Sequence, residues 1–254
     1  MKTDSPDGQT LTAPEIDWNW ENTSYLAEWH EPIVELLSRY VPGNSKILEV
    51  GAGGSHTLGA LASRLHCAAF GIEPDIAGAR KTIELASRES STVLMVRGDG
   101  FLLPFADENF DVVYSLGLIE HFLPKQSEAL IAEHVRVCKP GGSVIVAVPN
   151  WLNLPHTLRK MYLGNAYEYA PERSLTPGQL KRMLSKAGLE TIITDGLQPL
   201  WGLGMSRPGW LTVRLFRAIG LAKLLDGVKS ARVRGQIGYM TYAIGRKKSS
   251  TKNE

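Results

Sequence analysis

Four groups of polar or glycine residues each follow a short apolar run of the kind that forms a buried strand. They are the turn 51–55 (Gly-Ala-Gly-Gly-Ser), Glu73, Asp99 and the segment 115–121. Glycines let the backbone turn sharply and approach a ligand closely, because no Cβ intervenes. A carboxylate at a strand end, such as Glu73, can accept hydrogen bonds from both hydroxyls of a ribose. Asp99 can accept a hydrogen bond from an exocyclic amine such as that of adenine, so the pattern indicates a nucleotide-like ligand.

A fifth feature is a candidate general base. His121 follows the fourth apolar run, and a histidine titrates near neutrality. Glu120 precedes it and could orient the ring or bind a metal ion, although we predict no metal site. His156, Tyr167 and Tyr169 follow the fifth apolar run and could line a substrate pocket.

Each of these features also has a purely structural interpretation. The glycines could form a structural turn, Glu73 could be a surface charge, and Asp99 with Gly100 could simply make a turn. His121 could be a structural histidine hydrogen-bonded to backbone. Packing explains the three lid residues nearly as well as contact with a substrate.

The elements that must position these residues alternate between strand and helix. The apolar runs are Ile47–Val50, His66–Glu73, Thr92–Val96, Asp111–Ser115 and Ser143–Val148, with helical patterns at Thr57–Leu65, up to about Ala86 and near Ser127–Val137. A capped helix from Thr176-Pro177 to Gly188, a sixth strand at Leu189–Thr194 and a final strand at Gly238–Gly245 complete the pattern. This alternation predicts an α/β fold with a doubly wound, mostly parallel sheet. Ligands of such sheets bind at the carboxyl ends of the strands, where all these candidates fall.

The composition favours an ordinary globular domain. The chain has 254 residues, 43% of them hydrophobic and 21% charged, and no apolar run approaches the about 20 residues of a membrane span. Only Cys67 and Cys138 occur, and the first 14 residues lack an apolar signal core, so we expect a reduced cytoplasmic protein. We predict one domain over 15–246, with a helical cover at 15–43, a lid at 151–173 and an insert at 196–235. Residues 1–14 and 247–254 are predicted to be disordered.

Charge is distributed unevenly along the chain. Residues 1–200 hold 17 Lys and Arg against 24 Asp and Glu, whereas residues 201–254 hold 11 against 2. The basic segment 207–234 could attract an anionic membrane surface, an acidic substrate or nucleic acid, and it could equally be a solvated basic face. Its apolar residues around Trp210 could form an amphipathic helix at a membrane surface.

Two classes of cofactor compete for the glycine turn. A nicotinamide dinucleotide needs its pyrophosphate on a helix N-terminus, usually with G-x-G-x-x-G or G-x-G-x-x-A, and here the sixth position is His56. A cofactor without phosphate fits a turn with glycines at its first and third positions. The backbone would then hold an amino-acid moiety.

An ordered set of motifs decides between them by resemblance. Glu49-Val50-Gly51-Ala52-Gly53-Gly54, Gly71-Ile72-Glu73, Gly98-Asp99, Phe110–Val113, Glu120-His121-Phe122, Lys139-Pro140-Gly141-Gly142 and Ser174–Leu180 with Ala187-Gly188-Leu189 occur in this order. The set closely resembles the class I S-adenosylmethionine-dependent methyltransferases over about residues 40–200 plus the last strand. The family often has a third glycine where this chain has Ser55, a small residue that can cap the following helix.

The resemblance implies both a fold and a cofactor site. The sheet would have seven strands in a Rossmann-like methyltransferase fold, with the last strand antiparallel and inserted beside the fifth. Gly51, Ala52 and Gly53 would line the methionine end of S-adenosylmethionine, and Glu73 would bind the ribose. The other cofactor-binding residues would be Asp99 and Gly100 at the adenine, Ser115 and Leu116 beneath the cofactor, and Glu49 and Pro74 from the same motifs.

The implied reaction is transfer of a methyl group to a small-molecule acceptor, with His121 as the catalytic residue. The acceptor would be an O or N atom of a natural product, sugar, lipid or quinone. DNA is disfavoured, because the segment after the fourth strand lacks both the Asn/Asp-Pro-Pro-aromatic pattern and a Pro-Cys pair. The alternatives are a methyltransferase acting on RNA or protein through the basic segment, a non-catalytic cofactor-binding module, and a nicotinamide dehydrogenase. The acceptor molecule and the oligomeric state stay open.

Overall fold

A seven-stranded sheet forms the centre of the chain in the computed structural model, which describes residues 3–4, 10–11, 27–164, 167, 172–199, 220 and 227–249. Its strands are β1 Lys46–Val50, β2 Ala68–Glu73, β3 Val93–Arg97, β4 Phe110–Leu116, β5 Cys138–Pro149, β6 Leu189–Leu197 and β7 Met240–Lys247. Their spatial order is β3-β2-β1-β4-β5-β7-β6. The first five strands are parallel, and β7 lies antiparallel between β5 and β6.

Helices cover both faces of this sheet. They are α1 Ala27–Ser38, α2 Thr57–Leu65, α3 Ile76–Arg88, α4 Pro124–Val137, α5 Leu154–Leu163, α6 Pro177–Lys186 and α7 Ala231–Ile237, with a 3₁₀ turn at Ile119–His121. Apolar residues of α1, α2 and α3 share one core cluster with Ile47 and Tyr114. Residues of α4 and α6 share the second cluster with Leu48 and Val113. Neighbouring strand residues thus point into opposite cores, which is why the strands read as continuous apolar runs.

The predicted fold class is confirmed. The sheet has the expected seven strands, the last strand is antiparallel and lies beside the fifth, and α2 has the predicted bounds Thr57–Leu65. From the centre of the sheet, the chain runs outward through β1, β2 and β3 on one side and through β4 and β5 on the other, which places a switch point between β1 and β4.

Four elements differ most from the prediction. β5 begins at Cys138 and not at Ser143, because the chain pairs with β4 at Phe110 and then shifts register before Ser143. α4 begins at Pro124, which occupies its first turn. α5 and α7 were not predicted as helices: α5 lacks an inward apolar stripe, and α7 has only seven residues.

The predicted domain boundaries stay predictions. Residues 3–4 and 10–11 pair as a two-residue antiparallel ladder within the segment predicted to be disordered, and β7 takes in Lys247 from the predicted tail. The start of the predicted helical cover (residues 15–26), Tyr169 of the predicted lid and most of the predicted insert (residues 200–219 and 221–226) lie outside the described residues. In the described part of the chain, no helix combines the length and apolar character needed to cross a bilayer.

Candidate functional site

The glycine turn after β1 is fastened to β2 and faces the loop after β4. Gly51 has φ of +74°, and the backbone N–H groups of Gly51 and Ala52 donate to the carbonyl of Ile72 at 3.0 and 3.1 Å. A Cβ added to Gly51 would lie 3.0 Å from Leu118 Cδ1. Glycine is therefore required here both by the left-handed backbone and by the close approach of the β4 loop.

Helix α3 clamps the far side of the turn. Thr82, fully buried, donates its hydroxyl to the carbonyl of Ala52 and accepts the backbone N–H of Ser55 at 3.0 Å. The N–H of Gly54 donates to the carbonyl of Gly78 at 3.1 Å. The clamp uses backbone groups of the turn that do not point into the open edge of the sheet, so it fixes the turn without filling that edge.

A buried carboxyl lies beneath the turn. Glu49 Oε2 accepts hydrogen bonds from the hydroxyls of Ser55 at 2.6 Å, Tyr114 at 2.9 Å and Thr57 at 3.3 Å. Ser55 Oγ also accepts the N–H of Leu58 at 3.1 Å, so the serine in place of a third glycine does cap α2. Burial raises the pKa of Glu49 to about 7, against the three hydroxyl donors, which lower it. Glu49 thus joins β1, β4 and α2 below the turn.

Glu73 and Asp99 end the next two strands outward. Burial raises the pKa of Glu73, while the backbone N–H groups of Asp75 and Gly53 lower it, and Asp75 N lies 3.0 Å from Glu73 Oε1. The N–H of Gly98 donates to the carbonyl of Glu73 at 3.3 Å, which holds the two strand ends together. Asp99 is partly exposed, and its Oδ1 accepts the N–H of Phe101 at 3.0 Å. Asp99 therefore shapes its own turn and still presents a carboxylate at the edge.

The end of β4 forms the inner wall of the cleft. Ser115 is fully buried, and its Oγ has no hydrogen-bond partner in the described structure. Leu116 and Gly117 are partly exposed, and Gly117 has φ of +66°. A Cβ added to Gly100 would lie 3.1 Å from Val50 Cγ1, so the Asp99 turn also packs on β1. A buried hydroxyl without a partner is costly, by about 1–3 kcal/mol, and marks a place where a ligand can supply the missing bond.

Glu120 and His121 follow this wall in the 3₁₀ turn. Their side chains are 2% and 6% exposed, and His121 Nε2 lies 3.9 Å from Glu120 Oε1, beyond hydrogen-bond distance. Burial, and next the charge of Glu172, raise the pKa of Glu120 well above its ordinary value. Glu120 Oε2 has no hydrogen-bond partner in the described structure. A direct hydrogen bond orienting His121 through Glu120 is therefore not made.

A buried polar cluster in the predicted lid, residues 151–173, adjoins Glu120. Glu172 accepts hydrogen bonds from Lys160 Nζ at 2.9 Å and from the Tyr167 hydroxyl at 2.8 Å, and its Oε1 lies 3.2 Å from His156 Nε2. Burial opposes the ionised form, yet His156 and Lys160 outweigh it and lower the pKa of Glu172 to about 2. The backbone N–H of Arg173 donates to the carbonyl of Glu120 at 2.8 Å. The lid is thus anchored to the loop after β4.

Most of the predicted site residues converge on one edge of the sheet. The turn 51–53, Glu73, Asp99 and the β4 end are linked by the contacts above. Two predicted residues stand apart: Glu49 is engaged below the turn, and Pro74 is exposed, with its carbonyl accepting from Arg97 Nε at 3.2 Å. The sequence did not point to Thr82 or Glu172, because the pattern of polar residues does not show which distant groups each of them contacts.

Comparison with known proteins identifies the domain. Residues 48–146, which span β1 to β5, match the family described as methyltransferase domain. These residues form a methyltransferase domain, as the resemblance predicted. The predicted family is thereby confirmed over residues 48–146, and S-adenosylmethionine is the cofactor expected of such a domain.

Similar proteins extend this result. An uncharacterised methyltransferase of Mycobacterium avium is 29% identical over 155 residues, which are 59% of either chain. A tRNA (carboxymethyluridine(34)-5-O)-methyltransferase of Arabidopsis thaliana is 30% identical over 128 residues, 50% of this chain and 29% of that protein. The solved putative methyltransferase of Haloferax volcanii, in complex with the Trm112 activator, has a TM-score of 0.63 at 18% identity, covering 90% of this chain and 94% of that one. The chain spans less than two thirds of the length of the curated relatives it matches.

This edge of the sheet offers groups that could contact a ligand. The left-handed glycine cradle at Gly51 and the unpartnered hydroxyl of Ser115 both suit an organic ligand at the sheet edge. Among the described residues, no group of three or more His, Cys, Asp and Glu side chains is arranged to hold a metal ion. A cavity of about 400 Å³ beside Tyr40, Ser143 and Arg246 lies toward the amino-terminal end of β5, away from this edge.

The buried carboxyl of Glu49 predicts a pH-dependent stability. Its pKa is about 7 in the folded protein and 4.5 ordinarily, so its contribution is complete below about pH 4.5 and is lost as the pH rises through about 7. Relative to a Glu49→Gln variant, wild type should lose about 2–4 kcal/mol of unfolding free energy between about pH 4.5 and about 8. Urea unfolding at a series of pH values measures this difference. The matched variant Glu190→Gln, at a side chain that is 55% exposed, should follow wild type. Parallel curves for wild type and Glu49→Gln would contradict the assigned shift.

Proposed function

We propose that this protein transfers a methyl group from S-adenosylmethionine to an O or N atom of a small, partly apolar acceptor. The observation that carries the proposal is the convergence at one sheet edge of a left-handed glycine turn, the buried carboxyl of Glu73 and the unpartnered hydroxyl of Ser115. Each is a group that the fold itself leaves available or strained, and a single ligand at the carboxyl ends of β1, β2 and β4 would engage all three.

The cofactor-binding residues follow from this edge. We assign the amino-acid end of the cofactor to Gly51, Ala52 and Gly53, whose turn is clamped by α3, and the ribose hydroxyls to Glu73. Asp99 and Gly100 would hold the adenine, and Ser115 and Leu116 would line the floor. Glu49 acts below the turn as a positioning residue, and Pro74 contributes backbone at the ribose end.

The protein's part in the reaction is orientation and exclusion of water. S-adenosylmethionine supplies a methyl group already activated on a sulfonium, and the acceptor atom attacks it in line. His121 is the proposed general base for an acceptor that is protonated at neutral pH. Its side chain is only 6% exposed, so a proton taken up there is shielded from solvent.

The proposed class of acceptor rests on the exposed residues of the lid. The segment after β5 places Trp151, Leu152 and Leu154 at the surface, each at least 44% exposed, next to the buried cluster around Glu172. These exposed side chains lie outside the site, on the surface across which an acceptor with an apolar part would approach, such as a natural product, lipid, lipid-linked sugar or quinone. No sequence pattern of a DNA-amine or cytosine-C5 methyltransferase is present after β4.

A second candidate function is methylation of RNA. It is favoured by the similarity to the Arabidopsis tRNA methyltransferase and by the excess of cations after residue 200. Residues 207–219 and 221–226, where part of that excess lies, are outside the described residues. Protein substrates and a non-catalytic module are the remaining alternatives, and the experiments below separate all of them.

A cofactor-binding test follows from the glycine turn. Gly51→Ala forces an L-residue into φ of +74° and puts a Cβ 3.0 Å from Leu118, so it should lower the affinity for S-adenosylhomocysteine about tenfold or more. Gly178→Ala is the matched control, because its backbone is not left-handed and its nearest neighbour would lie 3.9 Å away. Isothermal titration calorimetry measures both, with NAD as a negative ligand. Equal affinities for the two variants would contradict the placement of the cofactor, and saturable NAD binding would favour a dehydrogenase.

A label-transfer experiment tests the acceptor class. Cell extract is incubated with the protein and methyl-labelled S-adenosylmethionine, then separated into RNA, protein and low-mass fractions for mass spectrometry. We expect label in low-mass, organic-extractable molecules, unchanged by prior ribonuclease or protease treatment. Label that disappears with ribonuclease would favour the RNA alternative, and label in no fraction would favour a non-catalytic module.

The role of His121 is tested with the labelled fraction as acceptor. His121→Gln should slow methyl transfer by about 10²-fold or more while binding of S-adenosylhomocysteine is retained. The rate is measured across pH for both proteins, and wild type should show a pH dependence that the variant lacks. A variant that keeps the wild-type pH profile at a reduced rate would leave His121 a positional role only.

A further inference from the structure

Exposed apolar side chains are concentrated on one short stretch of the described chain. Of thirteen large apolar residues that are exposed, six fall within residues 151–162. They are Trp151, Leu152, Leu154, Leu158, Met161 and Tyr162, and their exposures range from 44% to 90%. Single exposed apolar residues are ordinary on protein surfaces, but a contiguous group marks an interaction surface.

Four of these residues form a stripe on α5. At about 100° per residue, Leu154, Leu158, Met161 and Tyr162 share an arc of about 100° on one side of the helix. The stripe faces outward, since each of its members is at least 54% exposed. Trp151 and Leu152 precede the helix at its amino-terminal end and extend the same exposed group.

The opposite side of α5 is polar. His156 is fully buried and faces Glu172, and Lys160 donates to the same carboxylate at 2.9 Å. A helix of a water-soluble domain normally buries its apolar stripe and exposes its charges. In α5 this order is reversed, so internal packing does not account for the apolar stripe.

The surroundings of the stripe are basic. Residues 151–164 contain Arg159 and Lys160 and no Asp or Glu, and residues 227–237 contain Lys229, Arg232 and Arg234 and no Asp or Glu. Of these cations, Lys160 is paired with Glu172 and Arg234 with Asp195. The two segments are adjacent, because Asn153 Nδ2 donates to the carbonyl of Ile237 at 2.7 Å at the end of α7. Lys229 and Arg232, at and before α7, are exposed.

We propose that the outward stripe of α5, residues Leu154, Leu158, Met161 and Tyr162 with Trp151 and Leu152, docks on an anionic phospholipid surface. Apolar side chains on one face with cations beside them bind membranes by inserting the former and attracting acidic headgroups with the latter. A protein partner or a second copy could also cover an apolar stripe, but the lack of carboxylates in both segments favours a surface that carries only negative charge.

This docking surface goes beyond methyl transfer and does not depend on it. It lies on the lid next to the candidate site, because the inward face of α5 contacts Glu172 and the backbone N–H of the neighbouring Arg173 donates to the carbonyl of Glu120. A membrane-docked α5 would therefore bring the acceptor side of the cleft close to the lipid surface. Vesicle binding is measured without cofactor, so its failure is distinct from failure of the proposed activity.

Vesicle flotation of the full chain tests the proposal. Wild type should float with vesicles in which about a third of the phosphatidylcholine is replaced by phosphatidylglycerol, and it should stay in solution with phosphatidylcholine alone. The double variant Leu158→Glu with Met161→Glu should partition about tenfold less or weaker still. Ile83→Glu with Leu94→Glu adds the same charge at side chains that are 49% and 56% exposed elsewhere, and should float like wild type.

Two further measurements complete the test. The thermal midpoint and S-adenosylhomocysteine binding of the α5 double variant should match those of wild type, which shows that only the surface has changed. Wild type that stays in solution with anionic vesicles, or a double variant that floats as well as wild type, would overturn the proposal. So would light scattering that finds a dimer for wild type and a monomer for the double variant, because a second copy would then cover the stripe.

Discussion

The buried carboxyl of Glu49 is the constraint on which the edge of the sheet depends. Through the hydroxyls of Ser55, Thr57 and Tyr114 it joins the end of β1, the start of α2 and the centre of β4. Burial of this carboxyl is unfavourable and raises its pKa to about 7, and the hydrogen bonds from the three hydroxyls offset part of the cost of burial. The turn above it can therefore expose its glycine backbone without moving, which is what recognition of an amino-acid moiety by backbone groups requires.

A second buried polar cluster lies in the segment that follows β5. His156 and Lys160 hold Glu172 in its ionised form. The backbone of the neighbouring Arg173 fastens the lid to Glu120. Burial, and next the charge of Glu172, disfavour the ionised form of Glu120. Two carboxyls with pKa values shifted in opposite directions thus lie between the loop after β4 and α5. This polar interior explains the reversed polarity of α5: once the inner face holds His156 and Lys160, the apolar residues of the helix remain outside.

Much of the fold could be predicted from the sequence, because parallel strands buried on both faces leave continuous apolar runs. Ile47–Val50 and the helix Thr57–Leu65 were placed correctly for that reason, as was the final antiparallel strand through the family resemblance. α5 was missed, because a helix with polar residues inside shows no inward apolar period. At the site, strand ends located Glu73 and Asp99, but the partners of Glu49, Thr82 and Glu172 come from distant segments whose alignment only the folded chain defines.

A crystal structure of the protein with S-adenosylhomocysteine is the most direct measurement of the central claim, that the edge above Glu49 is the methyl-donor site. The account predicts the amino-acid end of the ligand on the backbone of Gly51–Gly53, its ribose hydroxyls on Glu73, its adenine beside Asp99, and a partner for the hydroxyl of Ser115. A ligand bound away from the glycine turn, or one that leaves Glu73 without a contact, would contradict it.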